Sequence, residues 1–95
     1  MKTIVVCCAY AMATSSIMEM GLKELLSKHG IEAQIVKIPL QQVEDYVKNN
    51  HVDLIVPNGR FKSDRVPVIS GMPYIIGVGV SELERKILDV LTAES

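Results

Sequence analysis

This sequence predicts an α/β fold: a four-stranded parallel sheet with helices on both faces. Three observations point there. Short runs rich in β-branched residues alternate along the chain with longer stretches whose apolar residues recur at helical spacing. The first run, Ile4-Val5-Val6-Cys7, is apolar at every position, as suits a strand buried on both faces. Strands that alternate with helices in this way call for crossover connections, and crossovers give parallel pairing.

Taken in order, the elements are these. After the strand Ile4–Cys7 and the small residues that follow it, Ser15 or Ser16 is expected to cap a helix with Glu19 in its first turn. Met18, Leu22, Leu25 and Leu26 fall on one face of that helix, and Gly30 closes it after Lys28 and His29. The segment 31–38 alternates apolar and polar side chains, the pattern of a strand nearer the sheet edge, and Pro39 ends it. Leu40, Val43, Tyr46 and Val47 make a second helical stripe that stops at Asn49-Asn50.

Val52-Asp53-Leu54-Ile55-Val56 reads as the third strand, and Pro57-Asn58-Gly59 as a turn opening a polar loop through Arg60, Lys62, Asp64 and Arg65. The segment 66–69 is expected to be a short fourth strand, with Pro67 at its start or on its edge. Ser70-Gly71-Met72-Pro73 is a further turn. The stretch 74–80, punctuated by Gly77 and Gly79, is either extended or the lead into a helix. Ser81 with Glu84 forms a capping box ahead of the stripe Leu83, Ile87, Val90 and Leu91. The sum is a Rossmann-like three-layer sandwich, with neither an internal repeat nor a low-complexity tract.

Several function classes are set aside by composition. A chain of 95 residues, 48% apolar, suits one folded domain. A net charge of -1 without a Lys/Arg block, and four aromatics without Trp, argue against nucleic acid as a partner. The apolar runs are too short to cross a bilayer, and no signal peptide is evident, so a soluble cytoplasmic protein is expected. Two adjacent cysteines are no disulfide framework and read as reduced thiols. His29 and His51 stand without a second ligand at metal spacing and read as solvated, so no metal or cofactor is expected.

Sheets of this class bind ligands beyond the carboxyl ends of their strands, where Cys8 and the loop 57–65 fall. A cysteine there meets loop N–H groups and the positive end of a helix dipole, which favour a thiolate and any phosphate it acquires. Thr14, Ser15 and Ser16 add hydroxyl donors. On spacing alone two readings of Cys8 stand, a nucleophile or a small buried hydrophobe ending a strand. Cys7, directed to the opposite face of its strand, reads as a core residue. Arg60, Lys62 and Arg65 form either a solvated face or a contact for an acidic or phosphorylated partner. Met12 and Met18 read as packing, and Met20, off the stripe, as exposed and available to a partner. Gly77-Val78-Gly79 is a turn rather than a dinucleotide fingerprint.

The loop also separates reaction types. Cysteine phosphatases place an Arg six residues after the nucleophile, and that position here is Thr14. Without the guanidinium, charge developing during hydrolysis is poorly compensated, so a phosphocysteine persists and suits relay better than hydrolysis.

These residues carry a resemblance. Ile4-Val5-Val6-Cys7-Cys8 followed by Ala13-Thr14-Ser15, then Val52-Asp53-Leu54-Ile55-Val56 with Arg60, then Val66-Pro67-Val68-Ile69-Ser70-Gly71-Met72-Pro73-Tyr74-Ile75-Ile76-Gly77-Val78-Gly79 with Lys86-Ile87-Leu88, together resemble the IIB component of a phosphoenolpyruvate-dependent sugar phosphotransferase system, in its galactitol-type branch. The resemblance spans nearly the whole chain and implies a single IIB domain over 1–95. It implies a four-stranded parallel sheet with a phosphocysteine loop after strand 1.

Counted back from Thr14-Ser15, the phosphorylated residue it implies is Cys8. Backbone N–H groups of Ala9, Tyr10, Ala11, Met12, Ala13, Thr14 and Ser15 then cradle the phosphate, with the Thr14 and Ser15 hydroxyls assisting. The implied partners are a phosphohistidine IIA donor and a membrane-embedded IIC component holding a sugar alcohol, galactitol or a related polyol. That places the protein in the cytoplasm and transiently at the inner face of the membrane. Ala9 and Tyr10 stand where the family has glycine and another small residue, a departure that bears on partner fit. Two rivals belong to other classes: a low-molecular-weight phosphatase or arsenate-reductase-like thiol enzyme, and a non-catalytic regulatory domain of the same fold.

Overall fold

The computed structural model describes residues 2–8, 12–58, 61–63 and 65–92, and the backbone alone of 8 and 12–15. Three strands, β1 (Lys2–Cys8), β2 (Ala33–Pro39) and β3 (Leu54–Pro57), form a parallel sheet in the order β2-β1-β3. Ile4 pairs with Ile35 on one side and Leu54 on the other, and Cys8 lies opposite Pro39. The apolar run 4–7 thus lies on the central strand, and the alternating strand is at the edge. Helices α1 (Met12–His29), α2 (Val43–Asn49), α3 (Met72–Ile76) and α4 (Val80–Thr92) complete the elements, with a 3-10 turn at Leu40–Gln42.

Side chains alternate across the sheet, so β1 feeds two cores. Ile4 and Val6, with Leu54 and Val56, pack against Met18, Leu22, Leu25 and Leu26 of α1 and Leu83, Ile87 and Leu91 of α4. Val5 and Cys7, with Ile55, pack on the other face with Val43 of α2, Val52 and Val66. Helices therefore cover both faces.

The expected fourth strand is a correction. Among the described residues, 66–69 contribute one parallel bridge, Ile55 to Val68. Its two hydrogen bonds run from Ile55 N–H to the Pro67 carbonyl and from Ile69 N–H to the Ile55 carbonyl, both 3.0 Å. Extending the ladder forward would require an N–H from residue 57, and extending it backward one from residue 67. Both are proline. What survives of the next rung is Gly71 N–H donating to the Pro57 carbonyl at 2.7 Å.

Two helix starts also differ from expectation. α1 begins at Met12, placing Ser15 and Ser16 inside the helix instead of at its cap. Met12 and Ala13 are good helix formers, and that preference extends the helix past the serine cap signal. α4 begins at Val80, with Leu83 N–H donating to the Gly79 carbonyl at 3.1 Å, so Ser81 lies within its first turn. Gly79 has φ 80°, which lets the chain turn into α4 immediately. The stretch left open at 74–80 holds the end of α3, closed by Gly77 at φ 76°, whose N–H donates to the Pro73 carbonyl at 2.8 Å.

Candidate functional site

The carboxyl edge of the sheet brings the end of β1 close in sequence to the head of α1: Cys8 closes the strand and Met12 opens the helix. The N–H groups that open an α-helix lack an intrahelical acceptor, and among the described residues of α1 these are Met12, Ala13 and Thr14. They carry the positive end of an 18-residue helix. Ala9, Tyr10 and Ala11 lie outside the described residues, as do Arg60 and Asp64 of the later loop.

Cys7 is fully buried, packed with Val5, Val43 and Ile55, as expected of a core residue. Its carbonyl accepts a hydrogen bond from Asn58 N–H at 3.2 Å, which carries the β1–β3 pairing one step past the strand end.

Three contacts fix α1 relative to the sheet. Met18 is fully buried against Gly71, where a Cβ would collide with the Met18 sulfur and come within 2.8 Å of a Val56 methyl. Gly21 lies under the Tyr74 ring, so closely that a Cβ would stand 2.5 Å from the nearest ring carbon. The Tyr74 hydroxyl in turn donates to the Glu84 carboxylate at 3.2 Å, tying α1, α3 and α4 together. Burial of the phenol, reinforced by the Glu84 charge, pushes Tyr74 well above its ordinary pKa. At the edge of the sheet the Glu19 carboxylate meets Lys37 of β2 at 3.0 Å and Lys23 at 3.3 Å. The hydrogen bond from Lys37 is the main reason its carboxyl is held below the usual range, with partial burial working against it.

The remaining sequence candidates separate plainly. Met20 is 69% exposed while Met18 is core, and Ile17, Ile76 and Val78 are exposed as well. Lys62 and Arg65 are exposed. His29 ends α1, and His51 meets Asp53 at 3.0 Å. Among the described residues no three His, Cys, Asp or Glu side chains gather as a metal site. No described helix is long and apolar enough to cross a membrane. The contacts of Gly21, Gly71, Tyr74 and Glu84 were not legible in sequence, because no local pattern announces a glycine beneath a distant ring.

The fold defines a class: a parallel α/β domain whose first strand closes on a cysteine a few residues ahead of a long helix. Within that class the chain belongs to the family described as PTS system, lactose/cellobiose specific IIB subunit, whose sequence pattern matches residues 3–86. It is similar to the PTS system galactitol-specific EIIB component of Escherichia coli (strain K12) and of Shigella flexneri, each 30% identical over 90 residues, covering 95% of this chain and 96% of the relative. It is also similar to the putative phosphotransferase enzyme IIB component SgcB of Escherichia coli (strain K12), 32% identical over 93 residues, or 97% and 99% of the two chains. Membership makes this protein a phosphotransferase that acts as a phosphocarrier of a sugar phosphotransferase system.

Proposed function

We propose that Cys8 is the phosphoryl-carrying residue. The observation that supports this is the closeness in sequence of the β1 terminus to the head of α1, whose first N–H groups, at Met12, Ala13 and Thr14, have no acceptor within the helix. In the first step the Cys8 thiolate attacks phosphorus in a phosphohistidine of IIA. The S–P bond forms, the N–P bond breaks, and the imidazole nitrogen leaves with its electron pair. N–H groups from Ala9 to Ser15, with the Thr14 and Ser15 hydroxyls, balance the dianion. In the second step a hydroxyl oxygen of a sugar alcohol bound by IIC attacks phosphorus. The S–P bond breaks, the thiolate returns, and the hydroxyl proton goes to a base at the sugar site.

A polyol is the substrate we favour, galactitol among them, because two relatives carry galactitol in their names. Exchange with a membrane-embedded IIC places the carrier in the cytoplasm, docking transiently at the inner membrane face. Thr14, where a phosphatase has arginine, favours a lasting adduct over hydrolysis.

The test is mass spectrometry after incubation with phosphoenolpyruvate, the general phosphotransferase components and IIA. One phosphate per chain is expected, lost in Cys8→Ser and retained in Cys7→Ala. An adduct that survives the loss of Cys8, or steady release of inorganic phosphate from an aryl phosphate, overturns the reading.

A further inference from the structure

A cleft of about 410 Å³ opens between α2 and the residues Phe61, Lys62, Ser63 and Arg65, on the face of the sheet opposite to α1 and α4. Its floor is apolar: Val43 is buried, and Val47 and Phe61 are half-buried. Lys48, Lys62 and Arg65 stand exposed around it, and Glu44 is the one carboxylate among its lining residues. Three cations against one carboxylate leave a surplus of two positive charges, on a chain whose net charge is -1. None of the three cations takes part in an ion pair among the described residues.

Sites for small molecules enclose the ligand and aim a few buried polar groups at it. Here the arrangement is reversed, with apolar side chains inside and exposed charged ones at the rim. That is the anatomy of a protein interface. Cations of this kind, spaced around an apolar floor, also recognise acidic segments more readily than they enclose a single phosphate.

We infer that this cleft docks a segment of a partner protein in which one or two apolar side chains are flanked by Asp and Glu. The apolar side chains cover Val43, Val47 and Phe61, and the flanking carboxylates face Lys48, Lys62 and Arg65. A partner held here is tethered on the α2 face of the sheet, while the head of α1 stays open to whichever component exchanges phosphate. Tethering raises the local concentration of the partner without adding contacts at the thiol. The inference stands independently of the assignment of Cys8.

The probe is a fluorescein-labelled peptide of about twelve residues, Asp and Glu around a central Leu-Trp pair, titrated with the full chain and followed by anisotropy and amide chemical shifts. Saturable binding is expected, with shifts in 43–48 and 61–65 and weakening between about 50 mM and about 0.5 M salt. Lys62→Glu with Arg65→Glu, both on exposed side chains and so leaving the fold and thermal midpoint in place, should weaken binding by about tenfold or more. A peptide with Ser in place of Leu-Trp should also bind weakly. Absence of saturable binding overturns the inference, as do shifts confined to the head of α1. Inorganic phosphate that displaces the peptide and saturates the same amides would reassign the cleft to small anions. Binding to anionic phospholipid vesicles but not to the peptide would reassign it to a lipid surface.

Discussion

Thr3 and Asp53, fifty positions apart, exchange two hydrogen bonds: Thr3 N–H donates to the Asp53 carboxylate and Asp53 N–H donates to the Thr3 carbonyl, each 2.8 Å. The pair forms the entry to the β1–β3 ladder, one residue before its first paired position, Ile4 with Leu54. A side chain here does the work of a backbone rung, and it sets the register that carries Cys8 to the far end of β1.

Removing that acceptor leaves the Thr3 N–H without its partner, so Asp53→Ala should lower unfolding free energy by about 1–3 kcal/mol. Asp53→Asn keeps an oxygen in place and should cost less. Burial alone would raise the Asp53 pKa, but the Thr3 N–H bond and His51 outweigh it and hold it below its ordinary 3.8. A depressed carboxylate stabilises the fold above its unfolded pKa, and that stability is lost as pH falls through the lower folded value. Urea titrations should therefore show the gap between native protein and Asp53→Asn narrowing as pH drops below about 4. A gap that stays constant across that range would mean the carboxylate charge contributes nothing.

Gly71 occupies a position where the side chains of Met18 and Val56 leave no room for a methyl. Gly71→Ala must displace the Met18 side chain and the Val56 methyl, a form of overpacking that should cost about 1–3 kcal/mol. It also disturbs the Gly71 to Pro57 hydrogen bond at the end of β3. Thermal unfolding checks the cost. Gly21→Ala is the contrasting case: alanine is favoured in helices by about 1 kcal/mol over glycine, which offsets part of the cost of pushing the Tyr74 ring aside. Its net effect should be smaller than that of Gly71→Ala.

How much of this was legible beforehand depends on range. The central strand, the edge strand, the α2 stripe and the buried face of α4 all announce themselves by periodicity, because burial writes a local pattern into each element. The shortfall at 66–69 has a physical cause that periodicity does not see: the segment is apolar, but prolines 57 and 67 remove the donors on either side of its single bridge. The helix start at Met12 shows propensity prevailing over a cap signal three residues later. Cys7 was placed correctly because strand alternation decides it. The Thr3–Asp53 and Gly21–Tyr74 contacts join positions too far apart for any window along the chain to connect.

Tyr74→Phe removes the hydroxyl that reaches Glu84 while keeping the ring on Gly21. The expected loss near neutral pH is about 1 kcal/mol, the worth of one hydrogen bond. The alkaline limb is more telling. Because the folded state holds the phenol well above its ordinary value of 10.0, the unfolded chain ionises first. The stability this residue contributes is full below about pH 10 and is lost as pH climbs above it. Denaturant titrations at a series of pH values should therefore show the unfolding free energy of Tyr74→Phe falling less steeply with pH above 10 than that of the native protein. Equal slopes would show that Tyr74 ionises as readily in the folded state as in the unfolded one.

Cys7→Ser brings the two cysteines apart experimentally. Cys7 is fully buried among Val5, Val43 and Ile55, so a hydroxyl in its place pays the desolvation of a polar group, about 1–3 kcal/mol by mutational precedent. Cys7→Ala trades that penalty for the loss of one sulfur from a packed core, a small cavity next to Val43. Neither change touches the first-turn N–H groups of α1. Both variants should unfold at lower denaturant concentration than the native chain yet take up phosphate to the same stoichiometry under conditions where they are folded. Cys8→Ser should do the opposite, with an unfolding midpoint near that of the native protein and no thiol adduct. If Cys7 variants lost phosphate uptake while remaining folded by circular dichroism, the division of labour between the paired cysteines would be the reverse of the one proposed.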